Sequence, residues 1–235
     1  LYDLDHIDFI EIYSEGGNIL TDGSNGRGFS TRVILFGNPG LAEDAAIDLF
    51  EFYLNLDEYI FMPGDMNDIE EALAALGGTC HVDMGLKLLS DTKVMIGDFA
   101  EGSPGKELLD SWAEWFNTHT NPEGKPYDVS RVIGAAYGDT PFSYVNSVTV
   151  NKTIIVPQFG DPEGDAAAIA AYENALPDYK VIGVRSELLA PWSGGLHCIT
   201  KEIPIGILKM SDSSMMGPGA DVDDILNHDD FVWVN

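Results

Sequence analysis

Apolar and polar positions along the chain repeat one order: a short strand, a turn, a second strand, an amphipathic helix and a third strand. Three copies of this order follow one another, and a fourth opens at residues 196–200. The pattern predicts strands at 16–20, 31–36, 58–61, 86–89, 94–96, 129–133, 144–150, 153–156 and 180–184. It predicts helices at about 41–54, 107–116 and 165–175.

Repeats of this length favour an α/β fold with radial or stacked repetition. Polar residues occupy comparable positions at the first strand of each copy, 65, 63 and 52 residues apart: Asn18, Asp83, Asn146 and Cys198. If the equivalent strands surround one axis, these four side chains project towards a shared centre. The sequence therefore predicts a site to which separate repeats each contribute.

Length and composition indicate one folded domain. The chain has 235 residues, of which 45% are hydrophobic, enough for a sizeable core. No segment has the composition of an interdomain linker. We therefore predict a domain over residues 1–210 and an acidic C-terminal extension over residues 211–235.

The charge balance excludes two classes of partner. Lys and Arg together number 12 and Asp and Glu 39, a formal net charge of −27. Such a chain repels phosphate backbones and anionic lipid surfaces, so we expect neither nucleic acid nor a membrane as partner. No apolar run in the sequence reaches the ~18 residues that a membrane-spanning helix requires.

Histidine and cysteine neighbours supply the candidate chemistry. Cys80 precedes His81, and His197 precedes Cys198. His81 and Asp83 are two positions apart, which on a strand would place both side chains on one face. Cys198 could act as a nucleophile if its thiolate were stabilised by His81 or by a bound cation. Taken singly, a cysteine in an apolar segment is more often part of the core.

Other ligand sites compete for the same residues. Zinc would require some of the following set: Cys80, His81, Asp83, His197 and Cys198. Adjacent Cys-His pairs lack the usual zinc-ligand spacing. Calcium would have to use the acidic turn at 161–165, which also reads as a helix start where Asp is favoured. The glycine-rich stretch 23–28 joins two predicted strands, without the helix that a dinucleotide loop needs.

Five segments in order resemble the bacterial peptidylarginine deiminase and agmatine deiminase family, over about residues 10–204. One tetrapeptide alone would be a weak signal, whereas five in the same order are strong. The segments are Glu15-Gly16-Gly17-Asn18, His81-Val82-Asp83, Tyr144-Val145-Asn146-Ser147, Val156-Pro157-Gln158-Phe159-Gly160-Asp161 and Leu196-His197-Cys198-Ile199-Thr200.

The resemblance implies a pentein fold, a five-bladed α/β propeller, of which this chain would hold about three to four blades. It implies Cys198 as nucleophile, His81 as general acid and base, and Asp83 as guanidinium ligand. The residues implied to line the substrate pocket are Asn146, Asn18, Gly17 and Trp192. The implied reaction converts a guanidino group to a ureido group and ammonia, with no metal and no organic cofactor. The partner would be a small guanidine or an arginine-containing peptide.

The segments around Trp192 favour peptidylarginine as substrate, with agmatine as the alternative and arginine-peptide binding without turnover as a second. Members of the family also carry an Asp-x-Trp-x-Arg-Asp segment that supplies a second guanidinium carboxylate. Residues 110–112 match its start but lie on a predicted helix at core spacing. We therefore expect a chain that lacks the opening blades, associates through an exposed repeat flank and has little activity alone.

Overall fold

The chain folds into sheets that share one strand order. The structure is a computed structural model, and it describes residues 12–22, 26–64, 76–102, 105–121, 123–137, 140–189, 191 and 194–200. All of these residues belong to one compact unit that spans Ile10–Thr200. The domain boundary predicted at residue 210 and the extension after it lie outside the described residues. No helix in the described ranges is long and apolar enough to cross a membrane.

The strands, in chain order, are β1 Leu20–Thr21, β2 Arg27–Ser30, β3 Glu58–Phe61, β4 Leu86–Leu88, β5 Lys93–Asp98, β6 Asp128–Tyr137, β7 Thr140–Ser143, β8 Val148–Val150, β9 Thr153–Gln158 and β10 Lys180–Arg185. The α-helices are α1 Val33–Gly37, α2 Glu43–Leu54, α3 Lys106–Thr118 and α4 Pro162–Ala175. Short 3-10 turns are Gly16–Asn18, Gly77–Thr79, Val82–Met84 and His197–Ile199.

Each unit has an antiparallel hairpin followed by a helical crossover to a parallel third strand. The first sheet has the order β1-β2-β3, with α2 in the crossover between β2 and β3. The second places α3 between β5 and β6, and the third places α4 between β9 and β10. Strand β7 pairs with β6 and leads into the third unit. The predicted repeat of strand, strand, helix and strand is thereby confirmed.

Each crossover helix after the first also packs against the preceding sheet. Helix α3 buries Leu109, Trp112 and Phe116 in a cluster that includes Phe29 of the first sheet. Helix α4 buries Tyr172 in a cluster shared with the second and third sheets. The hydrophobic core therefore runs between neighbouring units and joins them into one body.

Residues 110–112 belong to this core helix, as their spacing predicts. The Trp112 indole is buried and its Nε1–H donates to the Pro63 carbonyl at 2.7 Å. Asp110 accepts from Lys106 Nζ at 2.7 Å and from Arg131 at 2.9 Å. The Asp110 carboxylate is therefore engaged by two cations on the outside of the sheet.

The first unit departs from the sequence prediction, because its second strand is Arg27–Ser30 and not residues 31–36. Gly28 explains why this segment reads as a turn. A Cβ atom at Gly28 would lie 2.6 Å from the Leu56 side chain and 2.7 Å from that of Tyr59. Glycine is therefore needed within the strand for close packing and does not mark a turn there.

Helix α1 occupies most of the segment that was expected to be this strand. Its β-branched and aromatic residues favour a strand by propensity. Ile34 is buried and Phe36 is exposed, although residues two apart would share one face of a strand. A helical turn places these two side chains on different sides, so burial of Ile34 overrides the local propensity.

The polar positions at the start of each unit lie in tight turns and not in the strands that the sequence predicted. His81 is extended and precedes the turn Val82–Met84, and β4 begins only at Leu86. Tyr144–Ser147 is likewise outside β8, and Cys198 lies within a 3-10 turn. The prediction of a shared strand face for His81 and Asp83 is wrong, because side-chain hydrogen bonds replace strand pairing there.

Exposed apolar side chains on α1 and α2 generate a prediction about association. Phe52 is 78% exposed and contacts Tyr53, and the other exposed apolar residues of these two helices are Phe36 and Leu54. Helices α3 and α4 each pack against a preceding sheet, whereas no described sheet covers these side chains of α2. We expect the isolated 235-residue chain to self-associate, and F52K to weaken that association.

Sedimentation velocity over a concentration series measures the effect. The same change at Leu188, which is exposed and lies outside these helices, is the matched control and should have a smaller effect. A wild-type chain that stays monomeric at the highest concentration would contradict this prediction.

Candidate functional site

Polar side chains from the starts of four successive units meet at one place. The Asn146 Nδ2–H donates to the Asp83 carbonyl at 3.3 Å and to Cys198 Sγ at 3.4 Å. Cys198 Sγ lies 3.6 Å from Asp83 Oδ2. The Val82 amide donates to Asn18 Oδ1 at 3.0 Å. The structure thus brings together the four positions that the repeat spacing aligned.

Asn18 joins the first and second units through one oxygen atom. Its buried Oδ1 accepts from the Val82 amide, from the Thr31 amide at 3.1 Å and from Thr31 Oγ1 at 2.9 Å. The Asn18 Nδ2–H donates to the Thr31 carbonyl at 3.1 Å. Because every polar atom of the amide is used, Asn18 has a structural part in forming the site.

Asn146 makes the equivalent connection at the other side of the site. Its Oδ1 accepts from the His197 amide at 3.0 Å, while its Nδ2 reaches Asp83 and Cys198. A Cβ atom at Gly195 would lie 2.5 Å from Asn146 Oδ1. Glycine at 195 therefore lets the segment that carries the thiol approach the third unit closely.

Asp83 occupies the position that asparagine takes in the units on either side. It is 2% exposed, and its Oδ2 accepts from His197 Nδ1 at 2.8 Å. Its buried Oδ1 has no hydrogen-bond partner among the described residues. A buried carboxylate oxygen without a donor is costly, so this atom is a candidate acceptor for a donor outside the described residues. The sequence had assigned His197 only to an alternative metal site, since nothing in the pattern pairs it with Asp83.

His81 is held from the side opposite Asp83 by a carboxylate that sequence reasoning named only as part of a motif. Glu15 Oε2 lies 2.6 Å from His81 Nε2. Because a carboxylate accepts, Nε2 carries a hydrogen and Nδ1 is the nitrogen on the other side of the ring. A Cβ atom at Gly17 would lie 2.8 Å from His81 Nδ1 and 2.9 Å from Asp83 Oδ2. Both groups therefore border one small space beside Gly17.

Burial and the neighbouring Asp83 charge raise the pKa of the Cys198 thiol, and the Gly195 and Asn146 hydrogen bonds oppose this effect. The residue as a whole is exposed, but its sulfur contacts two buried side chains. Burial and the Asp83 charge therefore both disfavour the thiolate form of Cys198. Cys80 is buried, and burial raises the pKa of its thiol as well.

A cavity of about 390 Å³ opens beside these groups. Its described lining includes Cys198, His81 and Gly17 of the predicted site, with Leu189 and Ile199 as apolar walls. No described lining residue is Lys or Arg. Trp192, also predicted to line the pocket, lies outside the described residues.

Arg27 and Arg32 could each bind a carboxylate group, but both form ion pairs with glutamates and neither is in the described cavity lining. Arg27 pairs with Glu58 at 2.9 Å, and it also donates to the Tyr127 hydroxyl and the Thr120 carbonyl. Arg32 pairs with Glu43 at 2.8 Å. Both guanidinium groups are used in contacts between secondary-structure elements.

The alternative metal sites do not assemble in the described part of the chain. No group of three or more His, Cys, Asp or Glu side chains there could hold a metal ion. At the acidic turn, Asp161 accepts from the Glu163 amide as the cap of α4. Asp165 accepts from the Phe159 amide and the Tyr144 hydroxyl. Those carboxylates serve the fold.

The repeated units form part of an α/β propeller, and their likeness to solved structures places them in the pentein class. Residues 1–204 match the profile of the Porphyromonas-type peptidyl-arginine deiminase family, and the chain belongs to that family.

Curated and solved relatives agree with this assignment. An agmatine deiminase of Medicago truncatula is 28% identical over 218 residues, covering 81% of this chain and 56% of that protein. A Porphyromonas gingivalis structure, provisionally named an arginine deiminase, has a TM-score of 0.70 at 24% identity and covers 82% of this chain and 57% of its own. A structure of the agmatine deiminase of Enterococcus faecalis has a TM-score of 0.64 at 22% identity, with 78% and 55% covered. The chain spans little more than half the length of these relatives.

The contacts of Asn18 generate a stability prediction. We expect N18A to lower the free energy of unfolding by about 2–3 kcal/mol, because the Val82 and Thr31 amides lose a buried acceptor. Urea denaturation followed by circular dichroism measures it. Asn174, exposed on α4, is the matched control, and N174A should change stability by less than about 0.5 kcal/mol. Equal effects of the two changes would contradict the role given to Asn18.

Proposed function

We propose that the protein carrying this chain hydrolyses the guanidino group of a small cationic substrate to a ureido group and ammonia. The observation that carries the proposal is the 3.6 Å approach of the Cys198 thiol to the buried Asp83 carboxylate, one oxygen of which has no described donor. A guanidinium ion offers both a planar set of N–H donors and an electrophilic carbon. These match an acceptor and a nucleophile placed side by side.

Asp83 is the group that would bind the guanidinium. Its free Oδ1 can accept one N–H, and its Oδ2 can accept a second when the His197 contact is exchanged for the ligand. Two parallel hydrogen bonds between a carboxylate and a guanidinium fix the plane of the ligand. The guanidino carbon would then face Cys198 Sγ.

Cys198 would become a nucleophile when the cation binds. The pKa of its thiol is raised by burial and by Asp83. A guanidinium between the two groups neutralises the carboxylate and favours the thiolate, so activation is coupled to substrate binding. Attack on the guanidino carbon forms a C–S bond and a tetrahedral adduct.

His81 would move the protons. His81 takes the proton of the Cys198 thiol as the C–S bond forms and gives it to one nitrogen of the adduct, so ammonia leaves as the C–N bond breaks and a covalent thiouronium remains on Cys198. His81 then takes a proton from water, whose oxygen attacks the same carbon, and the C–S bond breaks to release the ureido product. Glu15 on Nε2 orients the ring so that Nδ1 serves the reaction.

Agmatine is the substrate that the pocket and the relatives favour together. The α-carboxylate of free or C-terminal arginine would need a cationic partner, and no described residue of the cavity lining is Lys or Arg. Agmatine carries an amine in place of that carboxylate and suits a protein of net charge −27. The sequence preference for peptidylarginine rested on the segment around Trp192, and Trp192 itself lies outside the described residues.

The nucleophile has a direct test in the full-length protein. We expect C198A to form the ureido product several orders of magnitude more slowly than wild type, while it still binds the guanidine. The control C80A should keep most of its turnover. A haloacetamidine reagent, followed by peptide mass spectrometry, should label Cys198. Unchanged ammonia release by C198A would contradict the assignment of Cys198 as nucleophile. If the wild-type protein bound the guanidine without turnover, an arginine-peptide binding module would be favoured.

Substrate choice is tested by comparing three guanidines at matched concentrations. We expect kcat/KM for agmatine to exceed that for free arginine and for a C-terminal-arginine peptide by roughly tenfold or more, because their carboxylate would lose solvation without gaining a partner. Colorimetric detection of the ureido group measures all three. Faster turnover of the peptide would restore the peptidylarginine interpretation.

A further inference from the structure

Tyr13 lies next to the site, and the proposed reaction does not use its side chain. Its side chain is 62% exposed, yet its backbone is held at two points. The Tyr13 amide donates to Asn38 Oδ1 at 2.7 Å, and Asn38 Nδ2 donates back to the Tyr13 carbonyl at 2.8 Å. Asn38, the residue that follows α1, also donates to the carbonyl of Ile34 within that helix. The position of Tyr13 is therefore set by α1.

The Tyr13 hydroxyl begins a chain of hydrogen bonds that ends at His81. It donates to Glu15 Oε1 at 2.8 Å, while Glu15 Oε2 lies 2.6 Å from His81 Nε2. Each carboxylate oxygen of Glu15 thus has one defined partner. Because the Glu15 side chain is half-exposed, it would otherwise be free to rotate into solvent.

We propose that Tyr13 is a positioning residue, whose hydroxyl holds the Glu15 carboxylate so that its other oxygen stays on His81 Nε2. The inference rests on the proposed function, in which His81 moves protons through its Nδ1 atom. It gives a part in the reaction to a residue that is held next to α1 by Asn38.

The charge state of Glu15 supplies the measurable consequence. Donation by Tyr13 is the largest cause that lowers the pKa of Glu15, and His81 lowers it further against the effect of burial. Tyr13 and His81 are the titratable groups of the described chain that act on it. The Glu15 carboxylate in turn raises the pKa of Tyr13, so the hydroxyl stays protonated and remains a donor at neutral pH.

Removing the hydroxyl has an effect of defined sign. A group whose pKa is depressed by a partner titrates at higher pH once the partner is removed. In Y13F, Glu15 should therefore be protonated at a higher pH than in wild type. A protonated Glu15 offers His81 a weaker acceptor, so the rate should begin to fall at higher pH as the solution is acidified.

The experiment compares Y13F with Y53F in the full-length protein, using agmatine and free arginine as substrates. Tyr53 is a partly exposed tyrosine on α2, packed against Phe52 and not in contact with Glu15. For Y13F we expect the acidic limb of the kcat profile to move to higher pH and kcat near neutral pH to fall by about fivefold, with KM little changed. Y53F should match wild type in all three quantities.

A second measurement is independent of turnover. Carbon-13 NMR of glutamate-labelled protein follows the Glu15 carboxyl through a pH titration, with E15Q used to assign the signal. We expect its midpoint to rise in Y13F and to stay constant in Y53F.

An unchanged Glu15 midpoint, or an unchanged acidic limb in an active Y13F, would overturn the proposal. If wild type turns over neither guanidine, the proposed function fails, and the NMR titration still decides whether Tyr13 sets the state of Glu15.

Discussion

Hydrogen bonding by two buried asparagines is the constraint on which the site depends. Asn18 accepts the Val82 amide of the next unit, and Asn146 accepts the His197 amide of the next unit. In each case a side chain satisfies a backbone donor that a strand neighbour would otherwise take. These contacts allow tight turns, and not strands, to enter the centre, and they fix the turns relative to one another.

The polar position that recurs in each unit differs in the second unit, which has Asp83 where the first and third units have asparagine. An aspartate has no N–H to donate, and the Asp83 Oδ1 atom receives no donor from the described backbone. The repeat thus supports the site with two hydrogen-bonded amides and leaves one carboxylate oxygen without a described donor. A ring of identical residues would give a closed hydrogen-bond network without a binding group.

Periodicity predicted most elements of the fold, because helices and strands with one buried face have a regular pattern. Helices α2, α3 and α4 and strands β3, β5, β9 and β10 lie within a few residues of their predicted bounds. The pattern failed at Arg27–Ser30 and at α1, where glycine packing and burial of Ile34 outweigh local propensity. It also failed at the polar turns, since hydrogen bonds between residues 51 and 64 positions apart leave no periodic signal.

Proximity of the site residues followed from the repeat spacing, but their partners did not. Glu15 contacts His81, and His197 contacts Asp83. Both contacts join residues that are far apart in the sequence, so they exist only in the folded chain. The Asp83 carboxylate lies 3.6 Å from the Cys198 sulfur, and burial together with this neighbouring charge raises the pKa of the thiol. In the proposed reaction, a guanidinium cation supplies donors to Asp83, neutralises its charge and thereby favours the Cys198 thiolate. Recognition of the substrate and activation of the nucleophile would then have the same electrostatic origin.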